Sequence, residues 1–311
     1  MRAADFIVRS LEAHGIKRVY CVPGESYLSL LDALHDSSIE VIVCRHEGGA
    51  GFMAVAEAKL TGKPAVFLAS RGPGATNASI AIHTAEQDAL PVILMLGQVS
   101  RKERLRHVFQ EMDYNAFFGS MAKGVFEVVE GSKLPELLPR GLRLAQSGVP
   151  GPVVYSFPED MLDDDVVADV ITFPLPHIGH GSDAVSAIQQ YIDQAEKPLV
   201  IAGAVLRSPQ GKENLRRFAE AQRIPVALTW KNQDVFDNGS PLYAGHLGFG
   251  SPATYKEIVA EADLILAFGT RLGDVEHCTL RCPNCPIPSS HWCMSIPMAG
   301  RWGGSAAQTF R

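Results

Sequence analysis

One glutamate lies where a carboxylate could act on a bound ligand. Glu47 follows the apolar run 41–44 and precedes the Gly-Gly-Ala-Gly segment 48–51, so the pattern places it between a buried strand and the N-terminus of a helix. Open α/β sheets bind ligands at the carboxyl ends of their strands, and a carboxylate there can exchange a proton with a ligand. Position alone favours a plainer interpretation, in which Glu47 only stabilises the helix N-terminus.

Three glycine-containing turns are predicted near this carboxylate. Ser-Arg-Gly-Pro-Gly-Ala-Thr-Asn at 70–77 follows the apolar run 65–69, and Pro-Gly at 23–24 and Gly-Gln-Val at 97–99 end two further apolar runs. The carboxyl ends of parallel strands share one edge of a sheet, so we expect these turns to outline a pocket with Glu47. The glycine spacing at 70–77 mimics a dinucleotide turn but lacks the third glycine, which disfavours a nicotinamide dehydrogenase.

The order of the predicted elements determines how these turns meet. Predicted strands and helices alternate without a hairpin signal, and the strands are continuous apolar runs. This pattern is typical of parallel sheets covered by helices on both faces. We therefore predict an α/β fold with two doubly wound parallel-sheet domains, the second of them incomplete. Residues near 100–118 are expected to be irregular, and Ser26 is expected to cap the helix after the first strand.

Composition marks the domain boundaries. Residues 1–160 form the first predicted domain, and prolines, glycines and an acidic run at 163–165 identify 161–182 as a linker. The alternation restarts over 183–275, which we predict to be a partial second domain. Residues 276–311 are rich in Cys, Pro, Ser and Trp and have no sustained apolar period, so we expect a disordered tail that supplies no further strand.

The tail contains a cluster of potential metal ligands. It includes one Cys-x-x-Cys, a spacing that suggests zinc. A second paired motif is absent and the cluster interrupts a domain before its expected next strand, which disfavours a zinc site. The favoured explanation is a truncated or frame-shifted sequence beyond Val275, with thiols that have no role. The potential ligands are His277, Cys278, Cys282, Cys285, His291 and Cys293.

Composition also excludes several classes of function. The chain has 311 residues, of which 46% are hydrophobic, and a formal net charge of −6. No basic tail or basic run is present, which argues against binding to nucleic acid or to an anionic membrane surface. The first residues lack the apolar stretch of a signal peptide, and no run approaches the roughly 20 apolar residues of a membrane helix. We expect a cytoplasmic protein.

Taken together and in order, the motifs resemble the pyrimidine-binding domain of thiamine-diphosphate (ThDP) enzymes, and most of all the acetolactate-synthase type. The resemblance covers residues 1 to about 275 at normal spacing. It implies decarboxylation of a 2-keto acid followed by carboligation, as in branched-chain amino acid biosynthesis. The motifs that carry it are Val22-Pro23-Gly24, Arg45-His46-Glu47, Ser70 to Asn77, and Gly97-Gln98-Val99.

The resemblance assigns roles to individual residues. Glu47 matches the glutamate that hydrogen-bonds N1′ of the cofactor's aminopyrimidine. Phe109, Gln110 and Lys123 are similar to the substrate-channel segment of the family, and Glu25 stands where acetolactate synthases usually carry glycine, which leaves the identity of the 2-keto acid open. The positions that match residues lining the aminopyrimidine are Pro23, Gly24, Ser70, Pro73, Asn77 and Gln98.

The resemblance also implies a missing part. In these enzymes a third domain holds the diphosphate through Mg²⁺, with a Gly-Asp-Gly motif followed by Asn. The only Gly-Asp pair here is Gly273-Asp274, followed by Val275, so we expect no Mg²⁺ site and contacts to the aminopyrimidine half of ThDP only. We therefore predict a fragment that is inactive alone. The alternative is a truncated, non-catalytic paralogue that associates with full-length ThDP-enzyme subunits.

Two further expectations concern assembly and a second cofactor. Active sites of the family form between subunits, which implies either a homo-oligomer or a partner ThDP-enzyme subunit. The middle domain of some relatives binds FAD. Gly203 and Gly269 lie at predicted strand ends of that domain, but these residue types do not require a flavin, so FAD stays open.

Overall fold

The computed structural model describes residues 1–174, 182–272 and 291–295. The chain separates into two compact units that divide near residue 176. Each unit is an α/β structure built on a parallel sheet, which confirms the predicted fold class.

The first unit begins with a helix and then alternates strands and helices. Its strands are β1 (Arg18–Cys21), β2 (Glu40–Val43), β3 (Ala65–Ala69), β4 (Val92–Gln98), β5 (Gly124–Glu127) and β6 (Val153–Pro158). Its helices are α1 (Ala3–Ala13), α2 (Leu28–His35), α3 (Glu47–Thr61), α4 (Pro73–Gln87), α5 (Tyr114–Phe118) and α6 (Leu134–Gln146). Short 3-10 helices lie at Glu25–Tyr27, Gly131–Lys133 and Glu159–Asp163.

These strands form one six-stranded parallel sheet in the order β2-β1-β3-β4-β6-β5. Helices α1, α2 and α6 pack on one face, and α3, α4 and α5 pack on the other. The central strand β4, with the sequence VILMLGQ, is buried along its whole length because both of its faces are covered. Parallel pairing brings the carboxyl ends of the six strands to one edge, which therefore collects the turns that follow them.

The second unit repeats this plan. Its described strands are β7 (Pro198–Ala202), β8 (Val226–Leu228), β9 (Tyr243–His246), β10 (Leu264–Phe268) and β11 (His291–Ser295). Its described helices are α7 (Ser182–Gln194), α8 (Pro209–Gln222) and α9 (Ala253–Glu261), with a 3-10 helix at Ala204–Arg207. The strands form a five-stranded parallel sheet in the order β11-β10-β7-β8-β9, with an apolar core on each face.

Strand β11 corrects the expectation that nothing in 276–311 would join the second sheet. Its backbone pairs in parallel with β10, from Leu264 opposite His291 to Phe268 opposite Ser295. The five-residue segment has no clear alternation, so its place depends on the edge of β10, which the local pattern does not reveal. The predicted disorder of the rest of 276–311, and the potential zinc ligands before residue 291, lie outside the described residues. The predicted incompleteness of this domain stays a prediction.

The first part of the predicted linker packs with the first unit. Met161, Leu162 and Val166 are buried in its core. The Met1 amino group donates to the Val166 carbonyl at 3.0 Å, and the Val166 N–H donates to the Met1 carbonyl at 2.8 Å. These bonds tie the N-terminus to the segment after β6. Residues 175–181 of the predicted linker lie outside the described residues.

Two short elements were not predicted from the sequence. Helix α5 lies in the stretch near 100–118 that was expected to be irregular; it has five residues, and the Asp113 carboxylate accepts from Ala116 N at 3.0 Å to cap it. Strand β9 contains Gly245 at a φ of 98°, and its four residues have no apolar alternation. Both elements are too short for a helical or strand period to be detected.

Candidate functional site

The Glu47 carboxylate is directed at the turn between β3 and α4. Glu47 is half-buried in the first turn of α3, and the His46 imidazole accepts from Gly48 N at 3.0 Å to cap that helix. Asn77 Nδ2 donates to Glu47 Oε2 at 3.0 Å, and a Cβ added at Gly74 would lie 3.2 Å from Oε1. No donor in the described part of the chain bonds Oε1. The carboxylate thus faces the neighbouring turn, with one oxygen held and one available.

The strand that precedes Glu47 differs from the expectation. β2 was predicted to be buried, but it forms the edge of the sheet, and its four residues are exposed or half-buried. At an edge, β2 has a neighbour on one side only, so its residues are less covered than those of a central strand.

Two glycines let three turns touch. Pro23 and Gly24 follow β1, and a Cβ at Gly24 would lie 2.7 Å from the Ser70 Cβ. A Cβ at Gly97, in β4, would lie 2.1 Å from the Ser26 hydroxyl oxygen. Such distances exclude a larger residue at either position unless the turns move apart. The turns after β1 and β3 and the end of β4 are therefore in direct contact.

A buried hydroxyl joins two of these turns. The predicted helix cap Ser26 instead lies inside the 3-10 helix Glu25–Tyr27 that precedes α2. Its hydroxyl is hydrogen-bonded to the Ser70 hydroxyl at 3.0 Å and accepts from Arg71 N at 3.1 Å. Ser26 is fully buried. The capping prediction is wrong because the hydroxyl has partners across the sheet edge that local sequence does not show.

Tyr114, which was not predicted from the sequence, links the end of β4 to the turn before α4. Its hydroxyl donates to the Gly97 carbonyl at 3.1 Å and accepts from Gly72 N at 3.3 Å. The ring is 1% exposed, and burial raises the pKa of the phenol to about 12, so the hydroxyl stays protonated at neutral pH. An aromatic residue in a stretch without period offered no signal for this contact.

The predicted cofactor residue Gln98 is directed at backbone. Its Nε2 donates to the Met112 carbonyl at 2.8 Å, and its Oε1 accepts from Val99 N at 2.9 Å. Gln98 is fully buried at the end of β4. The side chain therefore holds the loop that follows β4 against the end of that strand, and its polar atoms are already engaged.

A charge cluster lies beside the β3–α4 turn. Arg71 donates to Glu159, after β6, at 2.7 Å and to Glu25, after β1, at 3.3 Å. The Arg71 side chain is only 13% exposed, whereas Glu25 is 74% exposed. Glu25, the residue that departs from the family pattern, thus has a specific partner in the Ser-Arg-Gly-Pro-Gly turn. Neither Arg71 nor Glu159 was identified from sequence.

The structure places Gln110 against the same turn. Gly72 has a φ of 59°, a Cβ there would lie 2.8 Å from the Gln110 Cβ, and Pro73 begins α4. Phe109, the neighbouring predicted substrate residue, is 78% exposed. The loop 99–112 therefore covers the Gly72 turn with Gln110 and presents Phe109 to solvent.

Lys123 is not brought to this edge. It precedes β5, at the amino-terminal edge of the sheet, and its ammonium donates to the Val149 carbonyl at 2.8 Å and also to the Ser147 carbonyl. Burial lowers the pKa of the amine to about 8. Its predicted substrate role therefore has no support from proximity to Glu47 within this unit.

The carboxyl edge of the second sheet is also built from close turns. A Cβ at Gly203 would lie 2.6 Å from the Thr270 Cβ, so the segments after β7 and β10 touch. Asn232, after β8, accepts from Arg207 at 2.5 Å and donates to the Thr229 hydroxyl at 2.7 Å and to the Trp230 carbonyl at 2.9 Å. This edge contains Gly203 and Gly269, the predicted flavin positions, and FAD binding stays a prediction.

Two features are absent from the described residues. No group of three or more His, Cys, Asp or Glu side chains among them is arranged to hold a metal ion. Within the same residues, no helix combines the length and apolarity needed to cross a bilayer.

Comparison with known protein families matches both units. Residues 1–117 match the model described as thiamine pyrophosphate enzyme, N-terminal TPP binding domain. Residues 185–288 match the model described as thiamine pyrophosphate enzyme, central domain. The second match extends past residue 275, where the sequence analysis ends the domain.

Individual relatives are similar over most of this chain. The probable acetolactate synthase large subunit of Methanocaldococcus jannaschii is 32% identical over 285 residues, which are 88% of this chain and 48% of the relative. The acetolactate synthase isozyme 2 large subunit of Escherichia coli is 33% identical over 282 residues, 88% of this chain and 50% of the relative. The isozyme 1 large subunit of the same organism is 34% identical over 293 residues, 91% and 51% respectively. The chain thus spans about half the length of these relatives.

Proposed function

Because the chain belongs to the thiamine pyrophosphate enzymes, whose N-terminal and central domains it carries, we propose that its first unit binds the aminopyrimidine half of ThDP and that Glu47 activates it. The observation that carries this proposal is the orientation of the Glu47 carboxylate. One oxygen accepts from Asn77 at 3.0 Å, and the other faces Gly74 without a donor from the described residues. A half-buried carboxyl group with one oxygen available can carry a proton to a ring nitrogen and take it back.

The residues present fit the group. An aminopyrimidine is flat and has both hydrogen-bond donors and acceptors, and it needs backbone to approach closely on its faces. Gly24, Gly72 and Gly74 line the turns around Glu47, and a Cβ at each would meet a neighbouring residue within 3.2 Å. When bound, ThDP supplies an electron sink for breaking the bond between the carbonyl carbon and the carboxylate of a 2-keto acid.

Each residue of the proposed site has one role. Glu47 Oε1 holds or releases the proton shared with the ring nitrogen. Asn77 orients the carboxylate through Oε2, since its amide donates to that oxygen. Ser26, through Ser70 and Arg71 N, keeps the turn after β3 against the turn after β1. Pro23, Gly24, Ser70 and Pro73 belong to the turns that would surround the aminopyrimidine, and Gln98 holds the 99–112 loop.

The full reaction is the decarboxylation and carboligation of a 2-keto acid, in the manner of acetolactate synthase. Similarity to acetolactate synthase large subunits supports it, as does the ordered set of strand-end motifs. The sequence has no Gly-Asp-Gly motif for Mg²⁺ and the diphosphate. We therefore expect residues 1–311 alone to bind ThDP weakly and to form no acetolactate from pyruvate with ThDP and Mg²⁺. Acetolactate formation by the purified chain would overturn this part.

Calorimetric titration with ThDP and Mg²⁺ tests the binding role of Glu47. Glu47→Gln keeps the shape of the side chain but removes the proton acceptor, so we expect affinity to fall at least roughly tenfold. The matched control is Glu40→Gln, which neutralises a carboxylate at the opposite end of β2 and should leave affinity unchanged. Equal affinity of wild type and Glu47→Gln, or no binding by wild type, would contradict the proposal.

A second candidate is a non-catalytic subunit that associates with full-length ThDP enzymes. The outer surface of α3 favours association, because Phe52 is 43%, Met53 48% and Leu60 87% exposed in this unit. The same surface suits a homo-oligomer. Light scattering coupled to size-exclusion chromatography, with and without a full-length acetolactate synthase subunit, separates the two. A hetero-oligomer supports the second candidate. A homo-oligomer whose mass does not change when the full-length subunit is added contradicts it.

Two lesser parts of the proposal have simple tests. An absorbance spectrum of the purified chain decides whether FAD accompanies the second unit, where Gly203 and Gly269 follow β7 and β10. Cell fractionation tests the expected cytoplasmic location.

A further inference from the structure

Tyr114 connects the end of β4 to the turn before α4, at the edge of the sheet where Glu47 lies. Its hydroxyl is the donor to the Gly97 carbonyl at the end of β4 and the acceptor for Gly72 N in the turn before α4. The residue is 1% exposed, so water does not compete for either bond. A single oxygen thus bridges two neighbouring strand ends.

The hydroxyl is not explained by core packing. Phe117 and Phe118 lie on the same short helix, and Phe118 is fully buried without any hydroxyl. A phenylalanine at 114 would fill the same volume. Gly72 N, by contrast, belongs to a residue with a φ of 59°, outside the regular bonding of strand or helix, and a buried N–H without an acceptor is costly. The hydroxyl therefore satisfies a donor that the turn itself leaves open.

Tyr114 also begins α5, the helix that follows the 99–112 loop. This loop contacts both the end of β4 and the turn before α4: Gln98 donates to the Met112 carbonyl at 2.8 Å, and Gln110 packs against Gly72. Leu105, His107 and Gln110 have positive φ values, so the loop is held in an uncommon conformation. The loop thus meets the Gly72 turn through Gln110, and Tyr114, at the start of the next helix, joins the same turn to the end of β4.

We infer that Tyr114 is a positioning residue, which couples the 99–112 loop to the start of α4 and thereby sets Gly74 and Asn77 against Glu47. This inference rests on the proposed function, since it concerns the geometry of the aminopyrimidine site. Tyr114 itself makes no contact with the ligand in this scheme. Its effect passes through Gly72, two residues before Gly74 and five before Asn77.

A pair of tyrosine variants tests the inference. Tyr114→Phe removes the bridge, and Tyr155→Phe removes an equally buried hydroxyl that donates to the Leu138 carbonyl, on the far face of the sheet, at 2.6 Å. Calorimetric titration of the full chain with ThDP and Mg²⁺ should show affinity falling roughly tenfold for Tyr114→Phe and unchanged for Tyr155→Phe. Equal losses in both variants, or no loss in Tyr114→Phe, would overturn the inference.

A double-mutant cycle separates positioning from general stability. If Tyr114 acts through the start of α4, Tyr114→Phe and Asn77→Ala should be non-additive in ThDP affinity, while Tyr155→Phe and Asn77→Ala should be additive. Additivity in both cycles contradicts the inference. If Tyr114→Phe does not fold, the wild-type chain is labelled with ¹⁵N-glycine and titrated with ThDP. The Gly72 and Gly97 amide resonances should then shift over the same range of ThDP concentration. A shift of one resonance without the other would contradict the bridge.

Failure of the proposed function can be distinguished from failure of the Tyr114 inference. Absence of ThDP binding by the wild-type chain contradicts the proposed function and leaves the bridge to be tested without ligand. In that case the ligand-free Gly72 amide resonance should shift in Tyr114→Phe and stay in place in Tyr155→Phe. An unchanged Gly72 resonance in Tyr114→Phe would overturn the bridge itself.

Discussion

The carboxyl edges of the two sheets share a backbone plan and differ in their polar side chains. At both edges a glycine lets two segments touch, Gly97 against Ser26 in the first unit and Gly203 against Thr270 in the second. At the first edge Glu47 keeps one carboxylate oxygen without a donor from the described residues. At the second, Asn232 is 6% exposed and engaged by three partners.

This difference separates structural from functional polarity. A buried polar group whose bonds are all made stabilises the fold and has little left to offer a ligand. A group that is held by one bond and faces a turn with its other atom can act on what enters that turn. The first edge has both kinds, because Ser26 and Tyr114 hold the turns while Glu47 faces them.

The largest expected effect concerns the glycine contact of the first edge. Gly97→Ala places a Cβ 2.1 Å from the Ser26 hydroxyl oxygen and 2.4 Å from its carbonyl oxygen. We expect the free energy of unfolding to fall by about 3 kcal/mol, because backbone must move to accept the methyl group. Gly49→Ala, in α3 with nothing within 4 Å, should instead raise it by about 0.5–1 kcal/mol. Similar values for both variants in urea unfolding would contradict the close contact.

The next prediction compares two asparagines, one at each edge. Asn232→Ala removes the three bonds at the second edge and should lower the free energy of unfolding by about 2 kcal/mol. Asn77→Ala, at an exposed position of the first edge, should change it by less than about 0.5 kcal/mol while weakening ThDP binding. Denaturant unfolding and calorimetry on the same samples check both halves. A large stability loss in Asn77→Ala would remove the distinction between the two edges.

A smaller effect is expected for the charges around the first edge. Glu159→Gln removes the ion pair with Arg71, whose side chain is 13% exposed, and should cost about 1 kcal/mol of unfolding free energy. Glu213→Gln breaks a comparable contact to Arg216 on α8, where both side chains are nearly half exposed, and should cost clearly less than Glu159→Gln because solvent screens the pair. Equal costs would show that burial of Arg71 does not strengthen its ion pair.

The smallest predicted effect is a pH dependence of the 99–112 loop. The Leu105 N–H donates to Glu111 at 2.6 Å and lowers the pKa of that carboxyl below its usual 4.5. A carboxyl with a lowered pKa in the folded chain stabilises the loop at higher pH, and that contribution is lost as pH falls through the lowered value. The Leu105 amide resonance should therefore titrate with a midpoint below 4.5, and Glu111→Gln should abolish the titration. A midpoint above 4.5 would contradict the bond.

Much of the fold could be predicted from local pattern. The continuous apolar run 65–69 predicts β3 at its observed bounds, because a strand covered on both faces needs apolar residues at successive positions. β9 and β11 could not be predicted, since each is short and depends on a neighbouring strand for its bonds. Lys123 shows the same limit for the site: motif order places it with Phe109 and Gln110, while the sheet carries it to the opposite edge.

The sequence by itself determined which strand ends would carry glycines, where Glu47 would stand among them, and that both domains would be layered α/β structures. These features are local, because they depend on residue type and on the period of apolar positions. Only the tertiary structure decided which atoms of those turns are engaged. The bonds of Tyr114 span 17 and 42 residues and the bond between Glu47 and Asn77 spans 30, and such contacts exist only once parallel pairing has brought the strand ends to one edge.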